Sequence, residues 1–511
     1  MKKIAHLLLG RFSIVAVSII LQFFWLVMVM YQFSYQFTYA NLAIRVIAII
    51  VVLVIVNRWT NPANKLSWTF IILLSPVLGL LLYMIFGRSG LTKRTQERMD
   101  SVNREVSACL YQTPEIKEQL EREDISVCRQ SKYINDWAGF PLYHNTSTKY
   151  YSCGEEMFPD MLADLEKAEH FIFLEYFIVD QGVMFDRIVE VLEQKSKEGV
   201  DVRLIYDDIG CINTLPPKYY KVLQAKGIKC AAFNPFRPIM SVIMNNRDHR
   251  KIFVVDGKVG FTGGINLADE YINVASRFGY WKDTGIRLEG EAVWSMTTMF
   301  LEMWNYINHS SEDYKQFMPQ VYQKAPFEED GYVQPYGDTP LDHETVGENI
   351  YLNIINHAER YVYIFTPYLI IDNEMLVSLC NAAKRGVDVR IVTPGIPDKK
   401  MIFLLTQSHY EPLLKCGVKI YQYTPGFIHA KSFLCDDKIG TVGSINLDYR
   451  SLYLHFECGV FMYKTKALMQ LKEDCMDTFA ASEEMTLEFC RGQNVFIRIF
   501  QGMMRLFAPL L

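Results

Sequence analysis

The sequence predicts an α/β protein built from two duplicated lobes. Each lobe is a mixed sheet flanked by helices, the two are related by a pseudo-twofold axis, and an N-terminal transmembrane helical region precedes them. Three observations lead there. Segments of the chain recur in order: "AEHFIF" at Ala168 returns as "AERYVY" at Ala358, and "GVDVRLIYD" at Gly199 as "GVDVRIVTP" at Gly386. "LQAKGIKCAAF" at Leu223 returns as "LLKCGVKIYQY" at Leu413, and a His-Lys-Asp motif closes each copy, with a separation of 180 to 190 residues throughout. Within each copy, strand-like apolar runs alternate with amphipathic segments, the pattern of a sheet covered by helices. Finally, the hydrophobic excess is concentrated at the N-terminus.

The N-terminal region, 1–91, carries three apolar runs: Phe12 to Tyr31, Leu42 to Val56 and Trp68 to Gly87. The first is about one bilayer width and no small-residue cleavage site follows it, so it reads as an uncleaved anchor. The second is interrupted by Arg45 and the third by Ser75, Pro76 and Gly79. Lys2, Lys3, Arg11, Arg58 and Lys65 mark inward-facing ends, whereas the uncharged stretch Gln32 to Asn41 faces outward. Arg88, Lys93, Arg94 and Arg98 follow the third run and argue for the inside. A third run that enters without crossing reconciles these signs. The reading is a multi-pass protein of the cell membrane, two to three hydrophobic segments, with the duplicated part on the cytoplasmic side.

Residues 92–131 are charged and helix-prone, a connector. Lobe 1 covers 132–309, a polar linker 310–331, and lobe 2 332–490. In lobe 1, Phe171 to Val179 and Val200 to Asp207 read as strands, and Phe185 to Lys197 as a helix. Ile252–Val255 and Ser432–Cys435 are continuous apolar runs that fit buried central strands. Phe233 to Asn246 is an apolar loop that either dips into lipid or is buried. The segment 491–511 is basic and apolar at helical spacing from Val495, fitting an interfacial helix or a packed terminal one.

Composition narrows the function. At 511 residues the chain is long enough for two or three domains. A net charge of -5 gives no global basic field to attract nucleic acid. The 11 cysteines have no paired spacing, which suggests reduced thiols facing the cytoplasm. No Cys/His cluster has zinc spacing, so no structural metal is expected.

The motifs carry the chemistry. "HRKIFVVDGKVGFTGGIN" holds His249, Lys251, Asp256 and Asn266; "HAKSFLCDDKIGTVGSIN" holds His429, Lys431, Asp436, Ser444 and Asn446. A His-x-Lys pair on a strand puts both side chains on one face. A lone His or Lys of this kind is ordinarily a surface or satisfied core residue; the doubling points to function. Two lysines, two asparagines (Asn266, Asn446) and the Ser444 hydroxyl converging at a lobe seam would make a phosphoryl site. Two histidines there suggest a division of labour. One attacks phosphorus and forms a phosphohistidine, and the other protonates the leaving alkoxide and then deprotonates the incoming hydroxyl. Exchange of one phosphodiester for another needs neither metal nor nucleotide, so no cofactor is expected. Each histidine also needs an orienting acceptor, and a carboxylate follows each motif: Asp283 and Glu457.

These residues resemble the phospholipase D superfamily, whose signature is a duplicated H-x-K-x4-D followed by G-[GS]-x-N. The resemblance covers about 132–490. More narrowly the chain resembles bacterial cardiolipin synthases, through "NRDHRKIFVVDGKVGFTGGINLADEY", "TGIRLEG", "GSINLDYRSLYLHFE" and the anchor segment "SPVLGLLLYMIFGR". The resemblance implies phosphatidyl transfer between two phosphatidylglycerol molecules, giving cardiolipin and glycerol, in a bacterial cell membrane. It implies that His249, Lys251 and Asn266 meet His429, Lys431 and Asn446. It places Asp256 and Asp436 in the catalytic motif, although these aspartates are often structural in the superfamily. His455 departs from the pattern, which has Asn in "SLxLNFE"; it replaces an amide contact or adds a titrating group near Glu457.

Alternatives of other classes stay open. A phospholipase D would use water as acceptor, and another phosphatidyltransferase a different alcohol. A nuclease would need a basic groove, and a non-catalytic scaffold would have to tolerate two intact motifs.

Overall fold

The computed structural model describes residues 24–25, 27–28, 32, 38–87, 93–235, 246–323, 326–342 and 344–510. The first apolar run therefore lies almost wholly outside the described residues, as do Lys2, Lys3, Arg11, Arg88 and most of the loop 233–246. The chain divides into two compact units, one holding the N-terminal region with 499–511, the other the two lobes.

In the first unit, helices run over Thr38–Val56, Pro62–Leu74 and Pro76–Phe86. Asn61 caps the second through Ala63 N–H (2.9 Å), and Pro62 occupies its first turn, where the missing N–H costs nothing. Pro76 then divides the third apolar run in two, since a proline cannot donate within a helix. Arg45 confines the uninterrupted apolar part of the second run to Val46–Val56. Among the described residues no helix is long and apolar enough to cross a membrane. The expected two to three spans thus find no support there. The unit has its own small core of Ala48, Ile55, Trp68, Ile72 and Tyr83. The C-terminal end joins it: the Ser67 hydroxyl donates to Leu506 O (2.6 Å), and the Phe70 and Phe507 rings meet edge-on.

The second unit contains the duplicated lobes. Lobe 1 has strands β1 (Thr146–Tyr151), β2 (Phe171–Tyr176), β3 (Asp201–Asp207), β4 (Lys229–Phe233), β5 (Lys251–Val255), β6 (Val259–Gly263), β7 (Tyr280–Lys282) and β8 (Gly285–Gly290). Lobe 2 has β9 (Tyr332–Asp338), β10 (Tyr361–Phe365), β11 (Asp388–Pro394), β12 (Lys419–Tyr423), β13 (Gly426–Ile428), β14 (Ser432–Cys435), β15 (Ile439–Gly443), β16 (Glu457–Tyr463) and β17 (Ser482–Glu484). The first sheet runs β1-β8-β6-β5-β2-β3-β4 and the second β17-β12-β11-β10-β14-β15-β16-β9. The orders match strand for strand, with β17 added at one edge. In each sheet three strands are parallel (β2-β3-β4 and β10-β11-β12) and the motif strand pairs antiparallel to the first of them. The sheets are mixed, as the sequence predicts.

The motif strands β5 and β14 are buried along their whole length, which their unbroken apolar runs anticipate. The helix Val293–Asn308 explains how the two halves share a core. It packs on β2, β4 and β5 of the first sheet and on β9 of the second, and most of its residues are buried. The connector is helical as expected, over Lys93–Ser107 and Pro114–Glu123, with Met99, Val102 and Val106 buried. All 11 cysteines are unpaired.

Candidate active site

The two motif strands present their His and Lys at the seam between the lobes. Main-chain bonds fix the seam. His249 N–H donates to Phe456 O (2.9 Å) and Phe456 N–H to Arg247 O (2.8 Å). On the other side β13 pairs in parallel with β7, and His429 N–H donates to Lys282 O (2.7 Å). Each histidine backbone is therefore tied to the segment of the other lobe that carries a carboxylate.

The side chains follow the backbone. His249 Nδ1 lies 2.9 and 3.0 Å from the two Glu457 oxygens. His429 Nδ1 lies 2.7 Å from Asp283 Oδ2. The carboxylates expected to orient the histidines do face them, but crosswise: each lobe supplies the acceptor for the other lobe's histidine. Both carboxylates are wholly buried. Asp283 also accepts from Thr284 N–H (2.8 Å). Gly264 is required here, because a Cβ on it would stand 2.0 Å from Asp283 Oδ1. Glu457 is held further by the Ser444 hydroxyl and by the Ser451 hydroxyl (2.7 Å).

The lysines are almost completely buried beside the histidines. Lys251 Nζ donates to His249 O (2.5 Å), and Lys431 Nζ lies 2.8 Å from His429 Nδ1 and also donates to His429 O. Burial pushes Lys251 down to about 8 and Lys431 to about 7. Burial and the adjacent Lys251 hold His249 well below the usual imidazole range. Burial and Lys431 take His429 to about 4 against the opposing pull of Asp283. The carboxylates diverge. Burial raises Glu457 to about 8, only partly offset by Lys251, whereas His429 and Lys431 outweigh burial and hold Asp283 below its ordinary value.

Several expected site residues take other places. Asp256 and Asp436, expected in the catalytic motif, contact main-chain groups at strand starts. Asp256 accepts from the N–H groups of Glu169 (2.9 Å), His170 (2.8 Å) and Phe171 (2.8 Å) at the start of β2. Asp436 does the same for Glu359 (2.7 Å), Arg360 (2.9 Å) and Tyr361 (2.8 Å) at the start of β10. Both stand beyond the far end of their motif strand from the histidine, with φ of 50° and 54°. Ser444, expected on phosphate, meets protein groups: its hydroxyl bonds Glu457 and Cys458 O (3.1 Å) and accepts from Cys458 N–H (3.0 Å). Asn266 spends its amide inside lobe 1, accepting from Ile178 N–H (3.0 Å) and donating to the Tyr271 hydroxyl (2.7 Å). Asn446 is buried, and its Oδ1 has no hydrogen-bond partner among the described residues.

Sequence reasoning missed Ser451, whose signal was its place six residues before Glu457, on the short helix Tyr449–Tyr453 that precedes the carboxylate strand. It also missed the pairing of Trp281 with His455. Each stands two residues before its carboxylate, and each ring lies against the histidine which that carboxylate holds. The centroids are 5.4 Å apart for Trp281–His429 and 5.7 Å for His249–His455.

Comparison with known proteins agrees with this geometry. A family model described as "Cardiolipin synthase, PLD-like domain" matches residues 161–277 and 351–477, and one described as "Phospholipase_D-nuclease N-terminal" matches 46–88. The chain is 34% identical to cardiolipin synthase 1 of Bacillus cereus over 520 aligned residues, covering 100% of each chain. It is 32% identical to the cardiolipin synthase of Halalkalibacterium halodurans, covering 92% of this chain and 93% of that one. An uncharacterised protein of Streptococcus mutans is 46% identical over 90% of this chain and 99% of its own length. Among solved structures, a phosphatidylserine synthase of Haemophilus influenzae aligns with a TM-score of 0.56 at 14% identity, covering 75% of this chain and 98% of that one, a likeness of fold. With both motifs, both lobes and full-length relatives in agreement, the chain belongs to the bacterial cardiolipin synthases of the phospholipase D superfamily.

Proposed function

We propose that the protein is a phosphatidyltransferase that makes cardiolipin and glycerol from two molecules of phosphatidylglycerol, through a phosphohistidine. The observation that carries this reading is the crossed pair of histidine–carboxylate contacts beside two buried lysines. One histidine, deprotonated at its outer nitrogen, attacks phosphorus. The bond to the glycerol headgroup breaks, and its oxygen takes a proton from the other histidine, so that glycerol leaves neutral. A hydroxyl of the second phosphatidylglycerol then returns a proton to that histidine and attacks phosphorus, which releases the first. Lys251, Lys431 and the Asn446 amide offer donors to the phosphoryl oxygens. The incoming phosphodiester anion raises the histidines out of their depressed range, so a proton is available when substrate is bound.

Asp256 and Asp436 serve in this scheme by fixing the strand ends, Asp283 and Glu457 by orienting His429 and His249, and Ser444 and Ser451 by holding Glu457. The lobes are taken as 132–309 and 332–490, with 310–331 as linker. Association with the bacterial cell membrane is supported by the relatives' class and by the exposed apolar side chains of the first described helix, including Leu42, Val46, Ile47, Ile50 and Leu53. Phe496, Ile499 and Met503, exposed near the C-terminus beside Arg498 and Arg505, support an interfacial contact there. How many segments cross, and a cytoplasmic catalytic side, rest on the charge pattern of the sequence.

The test is mass spectrometry of products from purified protein in phosphatidylglycerol vesicles. Cardiolipin with free glycerol is expected. Phosphatidic acid with glycerol would replace the synthase by a hydrolase.

A further inference from the structure

We propose that His249, His455 and Glu457 form a binding site for one divalent transition-metal ion of the Zn2+ type, and that the bound ion switches the catalytic centre off. The three donors lie within 4.8 Å of one another. His249 Nδ1 is 2.9 Å and His455 Nδ1 4.0 Å from the same Glu457 oxygen. A tetrahedral ion with bonds of about 2.0–2.2 Å needs donor–donor edges of about 3.3–3.5 Å, a value these two distances bracket.

The second observation is His455 itself. Its side chain is only 9% exposed, and neither ring nitrogen has a hydrogen-bond partner among the described residues. A buried imidazole is ordinarily satisfied, so this ring offers an unused lone pair beside a carboxylate and a second imidazole. Glu457 is already fixed by Ser444 and Ser451, the kind of outer contact that orients a carboxylate ligand. The other half of the centre has no such arrangement. Trp281 occupies the position equivalent to His455, and an indole supplies no ligand, so among the described residues the centre offers one such site.

Binding exchanges a proton for the ion: the one shared by His249 Nδ1 and Glu457 is released, and the ion takes its place. His249 then no longer has a carboxylate to orient it. Lys251 and Lys431 beside His249, and Arg450, Arg247 and Lys399 around His455, oppose the ion by their charge, so it binds as an added inhibitor rather than a resident ion. The inhibitory half of the proposal rests on the transfer reaction proposed above; the binding half does not.

The experiment uses full-length protein purified without a histidine tag and titrated with Co2+, whose absorption separates nitrogen–oxygen from thiolate ligation. One equivalent with a nitrogen–oxygen spectrum is expected, weakened at least about tenfold in His455→Phe and in His455→Asn. Zn2+ added to the parent should suppress cardiolipin formation, and a chelator should restore it. Unchanged Co2+ affinity in either folded variant, or thiolate ligation alone, overturns the site. Metal binding lost in both variants, in a preparation that makes no cardiolipin from phosphatidylglycerol, upholds the site and removes the transfer reaction instead. Zn2+ that binds at His455 and leaves turnover untouched overturns the switch.

Discussion

Replacing Asp256 separates bracing from chemistry. Its carboxylate accepts three main-chain N–H groups. Glu169 and His170 are exposed, so their N–H groups can turn to water, at a loss of roughly 0.5–1.5 kcal/mol each. Phe171 is buried, and its N–H is orphaned at a cost of about 1–3 kcal/mol. The residue also sits at φ 50°, where alanine is strained by about 1 kcal/mol and asparagine is tolerated. Asp256→Ala should therefore cost about 5 kcal/mol in all. Asp256→Asn, which keeps an acceptor oxygen and the backbone preference, should cost about 1–2 kcal/mol. At about 2–4 °C per kcal/mol these become melting shifts of roughly 10–20 °C and 2–8 °C. The assay is a melting curve of the full-length protein in detergent, paired with turnover measured well below both transitions. Turnover of folded Asp256→Asn should stay within about threefold of the parent. An unchanged melting curve with turnover down a hundredfold would put the aspartate back in the chemistry and refute the bracing argument.

Other expectations concern the centre itself. His249→Ala and His429→Ala should each lower cardiolipin formation by roughly 10²-fold or more; a variant that keeps a tenth of the parent rate sinks the two-histidine scheme. Ser451→Ala removes one of the hydroxyls on Glu457, worth about 1 kcal/mol, and should slow turnover roughly fivefold. Equal rates in steady-state assays would mean that Glu457 is not an orienting group. Lys431 and Lys251, pushed down to about 7 and about 8, are charged below those values and neutral above them. An anionic phosphodiester favours the charged forms, so KM should rise as pH climbs through this range; a flat KM in a pH series contradicts the anion site.

The sequence is informative where one residue type can do one job. The duplication, the mixed sheets and the buried motif strands all follow from apolar runs and their spacing. His249, Lys251, His429 and Lys431 were legible because the motif is doubled. The partner of each histidine was not, since a carboxylate downstream of a motif is placed by the lobe interface rather than by its distance along the chain. The contacts of Ser444 were not legible for a related reason. A hydroxyl near a phosphate motif has two acceptors within reach, and which one it takes depends on Glu457 arriving from β16. Hydropathy suggested spans that the described helices do not provide: Arg45 and Pro76 shorten the apolar lengths, and the first run lies almost wholly outside the described residues.

The main-chain ladder across the seam has a consequence for how substrate arrives. His249 and His429 are each bonded through their backbone to the strand that delivers their carboxylate. A hinge motion that parted the lobes would have to unzip β7 from β13 and free Phe456 from Arg247 and His249, unpairing both histidines together. Clamshell opening would thus dismantle the machine it was meant to load. Access for two bulky lipids has to come from loops around a closed seam, so loop substitutions should alter the rate of entry while the histidine geometry stays as it is.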